Sequence, residues 1–210
     1  MMNLPNKLTL LRVIMIPFFV AAMLLSCGEA VRDYINTNFT YGPYILLRFI
    51  ALALFCLASF TDYLDGHIAR KRGLVTNFGK FMDPLADKLL VCSALILLTA
   101  EGSLSPVVTL IIVAREFIIS GFRLVASDNG VVIAASKWGK LKTVVQMIMC
   151  ILLIFPYTAF YQHQYILEGA GWLTVGTLMQ GIELLAVALT IISLIDYIVK
   201  NIRVITEGGM

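Results

Sequence analysis

The chain has 210 residues, of which 60% are hydrophobic and 14% are charged, and its formal net charge at pH 7 is +3. With a mean hydropathy of +0.89, this composition excludes a water-soluble enzyme, because too few polar residues remain to cover a soluble surface. The net charge is too small to predict a nucleic-acid partner. We therefore expect an all-α integral membrane protein.

Six apolar stretches are long enough to form membrane-spanning helices, which need about 20 residues each. They are residues 8–26, 44–66, 81–100, 104–126, 142–161 and 172–199. No soluble domain fits between them, so residues 1–210 are predicted to form one membrane domain. The first stretch resembles a signal peptide, but five further spans follow it, and this favours its retention.

The basic residues indicate how these spans are oriented. In a six-span topology, 14 of the 16 Lys and Arg residues fall on one side, and only Arg32 and Arg48 fall on the other. Loops on the cytoplasmic side of a membrane are enriched in Lys and Arg. Both termini are therefore predicted to be cytoplasmic.

Four aspartates lie within or at the end of predicted spans, where an ionised carboxylate is costly and usually marks a functional site. The spacing is i,i+3 in one pair and i,i+4 in the other, so each pair shares one face of its helix. Counted at 1.5 Å per residue from the assumed outer ends of the spans, all four lie about 20 to 32 Å from the outer boundary. Two antiparallel helices would thus present four carboxylates to one pocket near the cytoplasmic face: Asp62, Asp65, Asp83 and Asp87.

Carboxylates this close together repel one another unless cations neutralise them. Ligation by oxygen alone, without His or Cys, favours Mg²⁺ or Mn²⁺ over zinc. Two ions suit the charge of four carboxylates, and two-metal sites favour phosphoryl displacement. A divalent-cation transporter is the alternative from another class. It should show polar positions across the whole bilayer, whereas here the acids concentrate at one end.

The aspartates belong to a longer motif. Residues 62–70 have the sequence DYLDGHIAR, and after eight residues 79–87 have the sequence GKFMDPLAD. The pattern DxxDGxxAR(x8)GxxxDxxxD resembles the signature of the CDP-alcohol phosphatidyltransferase family, and all eight specified positions are present. A glycine inside a helix costs roughly 1 kcal/mol relative to alanine, so Gly66 also suggests the close approach of a ligand.

The resemblance implies a role for each position of the motif. Asp62, Asp65 and Asp83 would hold the metal ions, and Asp87 would complete the second metal's ligands and act as the base on the attacking hydroxyl. Small residues would leave room for the cytidine nucleotide, and Arg70 would meet its phosphates. The donor would be CDP-diacylglycerol, and the family also implies a homodimer. The small residues are Gly66, Ala69 and Gly79.

Two further segments bear on the acceptor. Residues 3–12 (NLPNKLTLLR) and 136–143 (SKWGKLKT) look like the bacterial branch of this family that uses sn-glycerol 3-phosphate. Cations within a span are costly, and the basic residues of the fourth span, together with those at and just before the start of the fifth, would ring a cytoplasm-facing polar cavity suited to a phosphate. These residues are Arg115, Arg123, Lys137, Lys140 and Lys142. Positive-inside topology is the alternative explanation, and for Arg115 so is a pair with Glu116.

The resemblance therefore implies transfer of a phosphatidyl group from CDP-diacylglycerol to glycerol 3-phosphate, releasing CMP. The enzyme would lie in the cytoplasmic membrane of a bacterium, among lipids, with its site facing the cytoplasm. Another branch of the family, transferring to inositol phosphate, serine or phosphatidylglycerol, remains open as the enzyme alternative.

Overall fold

The computed structural model describes residues 4–28, 42–72, 77–128, 136–156 and 175–207. Within these ranges, side chains are described except at 4–6, 62–81, 83–84, 125, 127–128, 175 and 202–207. The described residues form six α-helices. These are α1 (Leu4–Cys27), α2 (Gly42–Arg72), α3 (Asn77–Ala100), α4 (Pro106–Asp128), α5 (Lys137–Ile154) and α6 (Val175–Glu207). The prediction of an all-helical protein is confirmed.

Three of these helices are long and apolar enough to cross a membrane, over Lys7–Cys27, Gly42–Thr61 and Gly176–Asn201. The other three carry at least three charged residues in every 18-residue stretch. Large apolar side chains point outward from the helices, and Leu110 and Leu184 are 69% and 70% exposed. An outer surface of this kind suits lipid, and the chain is a membrane protein. That all six helices span the bilayer stays a prediction.

The chain divides into two compact units. The first comprises Met1–Ser103 with Ile151–His163, and the second comprises Leu104–Cys150 with Gln164–Met210. The prediction of a single domain over 1–210 stays a prediction.

In the first unit, α1 packs along α2 and also against α3. Each helix contributes a buried stripe with alternating steps of three and four residues, which is the pattern that keeps one face of a helix against its neighbours. The stripe of α1 is Thr9, Arg12, Ile16, Phe19, Met23 and Ser26, and that of α2 is Arg48, Ala51, Phe55 and Ala58. The rings of Phe19 and Phe55 meet with their centroids 5.7 Å apart.

In the second unit, α4 packs against α6. The buried face of α4 includes Ile112, Arg115 and Ile119, and that of α6 includes Thr190 and Ser193. Polar residues thus occupy positions in the core stripes of this unit, where a buried polar group needs a partner.

Candidate active site

The signature residues lie at the end of one helix and the beginning of the next. The last turns of α2 carry Asp62, Asp65, Gly66, Ala69 and Arg70, and the first turns of α3 carry Gly79, Asp83 and Asp87. The backbone is helical through both segments. Apart from the half-buried Asp87, the side chains of these residues lie outside the described part of the structure.

By helical periodicity, positions 62, 65, 83 and 87 continue the buried stripes of their helices. The stripe of α2 runs through Phe55 and Ala58, and its next steps of four and three residues fall at positions 62 and 65. The buried residues Leu98, Ala94 and Leu90 of α3 lead back in the same way to positions 87 and 83. The helices α2 and α3 are in contact, and a cation site shared by these four positions stays a prediction. Among the side chains that the structure describes, no group of three or more His, Cys, Asp or Glu residues forms such a site.

A second polar cluster lies at the opposite end of the first unit, and sequence reasoning missed it. Arg48 donates from Nη1 to Oε2 of Glu101 at 2.7 Å and from Nη2 to Oε1 at 3.0 Å. Its Nη2 also donates to the carbonyl of Leu153 at 2.9 Å, and Cys27 Sγ donates to Glu101 Oε2 at 2.9 Å. A single arginine within an apolar span was the available signal, because such a charge needs an internal partner.

The basic residues of the second unit are organised by a carboxylate. Arg115 is buried, and its Nη1 lies 3.0 Å from Glu116 Oε1 while its Nε donates to Ser193 Oγ at 3.2 Å. Lys142, which is 1% exposed, donates to the same Oε1 atom of Glu116. Two cations thus share one carboxylate, and this trio joins α4 to α5 and, through Ser193, to α6. The pair between Arg115 and Glu116 was one of the alternatives left open by the sequence.

The beginning of α5 lies beside Arg115. Ser136 caps this helix, because its Oγ accepts a hydrogen bond from the Gly139 N–H at 3.1 Å. A methyl group at Gly139 would lie 3.5 Å from Arg115 Nη2, so the guanidinium borders the first turn of the helix. Lys137 and Lys140 extend from the same turn and are exposed. A helix N-terminus attracts anions, and here basic side chains surround it.

Arg123 lies apart from this group along α4. It is exposed and lies eight residues beyond Arg115, which is about 12 Å along the helix. The structure therefore brings Arg115 and Lys142 together through Glu116, next to Lys137 and Lys140. Phosphate binding by any of these five basic residues stays a prediction.

Comparison with known proteins identifies the family. The family model for CDP-alcohol phosphatidyltransferase matches residues 2–192. The chain belongs to the CDP-alcohol phosphatidyltransferase family. It is therefore an enzyme, a membrane transferase of phospholipid biosynthesis, and the resemblance seen in the motif of residues 62–87 is confirmed.

Curated relatives are similar over most of the chain. The CDP-diacylglycerol–glycerol-3-phosphate 3-phosphatidyltransferase of Bacillus subtilis (strain 168) is 46% identical over 149 residues, which are 70% of this chain and 74% of the relative. The protein of that name from Rickettsia typhi is 41% identical over 154 residues, covering 73% and 77%. A probable phosphatidylglycerophosphate synthase of Mycobacterium tuberculosis is 36% identical over 208 residues, covering 99% and 85%.

Proposed function

We infer that the protein transfers the phosphatidyl group of CDP-diacylglycerol to sn-glycerol 3-phosphate, giving phosphatidylglycerol phosphate and CMP. The observation that carries this function is the similarity to relatives named for that reaction, at 36% to 46% identity. The complete signature on two contacting helices supports the same reaction. The acceptor distinguishes this function from that of other branches of the family.

The donor would bind at the end of α2 and the beginning of α3. Asp62, Asp65, Asp83 and Asp87 would hold two divalent cations, Mg²⁺ or Mn²⁺, because carboxylate oxygens suit these ions and the helical spacing puts all four positions on buried faces. Bound there, the ions would contact the diphosphate and stabilise the charge that develops on the departing CMP. Arg70 would contact the phosphates of the nucleotide. Residues without bulky side chains would leave room for cytidine, namely Gly66, Ala69 and Gly79.

Asp87 would act as the general base. Its carboxylate would accept the proton of the attacking glycerol hydroxyl, and the hydroxyl oxygen would form a new bond to the phosphatidyl phosphorus. The bond from that phosphorus to the CMP oxygen would break, and CMP would leave with the electron pair of that bond. The half-buried position of Asp87 suits a group that must be shielded from bulk water and still reach a substrate.

The phosphate of glycerol 3-phosphate would bind at the N-terminus of α5. Three observations support this site: the bordering guanidinium of Arg115, the exposed Lys137 and Lys140 on the first turn, and the helix end itself. Arg123 would extend the positive surface along α4. Lys142 would act mainly through Glu116, which it contacts directly.

The location of this chemistry follows from the distribution of charge. With six spans and 14 of 16 basic residues on one side, the polar cavity would face the cytoplasm, where both substrates' polar groups are accessible. The surrounding membrane would be that of a bacterium, since the relatives named above are bacterial. We also propose a homodimer, on the basis of the family resemblance.

The acceptor can be tested with the purified full-length protein in detergent. Given CDP-diacylglycerol and Mg²⁺ or Mn²⁺, it should release CMP when glycerol 3-phosphate is added, and much less with serine, inositol phosphate or glycerol. Glycerol is the matched control, because it offers the same hydroxyls without the phosphate that the basic residues would bind. Equal turnover of serine and glycerol 3-phosphate would overturn the acceptor assignment.

A further inference from the structure

Arg12 is a fully buried arginine on α1, with 0% of its surface exposed. It is not part of the family signature, and its position in the sequence indicates only a positive charge near the cytoplasmic end of the first span. A cation inside an apolar helix bundle is costly, and such residues usually serve a function. Its level in the first unit can be compared with that of the carboxylates.

Contacts around Glu101 fix the register of α1, α2 and α3 at the end of the first unit that lies opposite the carboxylates. Cys27 of α1 and Arg48 of α2 both contact Glu101, which directly follows α3. These three residues therefore lie at one level. Arg12 is 15 residues from Cys27, Asp62 is 14 residues from Arg48, and Asp87 is 14 residues from Glu101. At 1.5 Å per residue, all three lie about 21 to 23 Å from the cluster of Cys27, Arg48 and Glu101, toward the cytoplasmic ends of their helices.

An aromatic contact gives the same register independently. Phe19 of α1 meets Phe55 of α2. Arg12 lies seven residues before Phe19, and Asp62 lies seven residues after Phe55. Seven residues make almost two full turns, about 10 Å, so Arg12 shares a helix face with Phe19 and position 62 shares one with Phe55. Positions 12 and 62 therefore lie about 10 Å from the aromatic pair in the same direction, on the two helix faces that contact each other.

We propose that Arg12 binds the diphosphate of the CDP-linked donor, at the level of the carboxylate site. The proposal rests on the proposed function, which places that donor at Asp62, Asp65, Asp83 and Asp87. Two divalent cations balance four carboxylates, and the diphosphate then adds negative charge that further cations must offset. Arg12 supplies such a cation, and its planar guanidinium matches two phosphate oxygens at once.

The test uses the full-length protein in detergent and CDP as a soluble probe of diphosphate binding. Isothermal titration with Mn²⁺ present compares the parent protein with Arg12→Gln and Arg12→Lys. Arg12→Gln should weaken CDP binding about 10- to 100-fold, as expected for a lost charge-assisted phosphate contact. Arg12→Lys keeps the charge but loses the planar guanidinium that can bind two phosphate oxygens at once. Its affinity for CDP should therefore fall between that of the parent protein and that of Arg12→Gln. Mn²⁺ binding without CDP should be retained.

Arg48→Lys is the matched control, because among the side chains that the structure describes in this unit Arg48 is the other buried arginine, and it lies at the opposite end. It should leave the CDP affinity of the folded protein unchanged. CDP affinity equal to the parent's in Arg12→Gln, or in Arg12→Lys if the glutamine variant does not fold, would overturn the proposal. Tighter Mn²⁺ binding with unchanged CDP affinity would make Arg12 a counter-ion of the carboxylates instead. If the parent itself fails to bind CDP with Mn²⁺, the proposed donor site fails as well.

Discussion

At the scale of single residues, Asp87 allows the chemical and structural roles of the signature to be separated. Asp87→Asn nearly preserves the shape of the side chain but removes its charge and its capacity to accept a proton. Turnover should fall by about 10²- to 10⁴-fold, the usual contribution of a general base. CMP release per folded protein measures this effect, and CDP-diacylglycerol affinity should survive in part through the other three aspartates.

Asp62→Asn provides the contrast. This variant should lose nucleotide binding together with turnover, because position 62 is assigned to metal ligation alone. If Asp87 served only to hold helices together, its asparagine variant would lose thermal stability and keep its activity per folded molecule. Near-normal turnover in folded Asp87→Asn would remove it from the catalytic assignment.

Glu116 is a second residue with a specific expected effect. In Glu116→Gln, the buried Arg115 and Lys142 would lose the carboxylate that they share. Breaking a buried ion pair from one side costs about 3–5 kcal/mol, because it leaves an uncompensated charge. Chemical unfolding in detergent should show a loss of this size.

The matched control for Glu116 is Asp196→Asn. Asp196 pairs with Lys200 at 2.5 Å, one turn further along α6, but the lysine is 62% exposed. Because solvent already surrounds most of Lys200, the loss of this partner should cost less stability than the loss of a carboxylate shared by two buried cations. Equal losses in the two variants would contradict a special role for the shared carboxylate.

The residues of the site were predictable to different degrees. The aspartates were the strongest candidates in the sequence, because four carboxylates near apolar spans, at fixed intervals, are rare and costly. The partnership of Glu116 with Lys142 was not predictable, since the two are separated by 26 positions and lie on different helices. The bidentate ion pair between Arg48 and Glu101 was not predictable either, because the sequence shows both charges but not which helices are neighbours.

At the scale of helices, the apolar runs predicted all six elements, and local signals set their ends. The fifth span was expected over 142–161, but α5 runs from Lys137 to Ile154. It begins earlier because Ser136 caps it, and it ends before Pro156, which disfavours helical backbone in the residue preceding it. α3 ends where Gly102 adopts a φ of +82° and Ser103 N–H donates to the Leu98 carbonyl at 2.9 Å, as in a Schellman motif. Hydropathy alone misses the beginning of α5 because the charged residues of its first turns lower the hydropathy there.

The ion pair between Arg48 and Glu101 should contribute to the stability of the helix packing in the first unit. Glu101→Ala would leave the guanidinium of Arg48, 2% exposed, without its bidentate partner. We expect a loss of about 3–5 kcal/mol in the free energy of unfolding, measured in detergent.

A double variant tests the cause of that loss. Arg48→Leu combined with Glu101→Leu removes both charges, and replacing a buried pair by apolar residues is often neutral or stabilising. The double variant should therefore be more stable than Glu101→Ala. If it is equally destabilised, the contacts of Arg48 with α1 and with Leu153 matter more than the unpaired charge.

At the scale of the whole molecule, the distribution of basic residues predicts the six-span topology, which no single helix can show. The charged helices α3, α4 and α5 do not qualify as spans by composition alone, yet each carries its charges where a substrate-binding role is proposed. A helix with a polar site facing the protein interior can still cross a bilayer if its remaining surface is apolar. The six-span topology must therefore be tested by finding on which side of the membrane each loop lies.

Labelling of single cysteines tests that topology. The background lacks the four native cysteines, with Cys27→Ser to keep a donor for Glu101 and Cys150→Ala because Cys150 is fully buried. Lys71→Cys and Lys137→Cys should react with a membrane-impermeant maleimide only from the cytoplasmic side, in inside-out vesicles. His163→Cys, outside the described residues, should react only from the other side, in intact spheroplasts. The 14-to-2 division of basic residues requires this result because positively charged loops stay in the cytoplasm. Lys71→Cys and His163→Cys lie on opposite sides in the six-span arrangement, so labelling of both from the same side would contradict it.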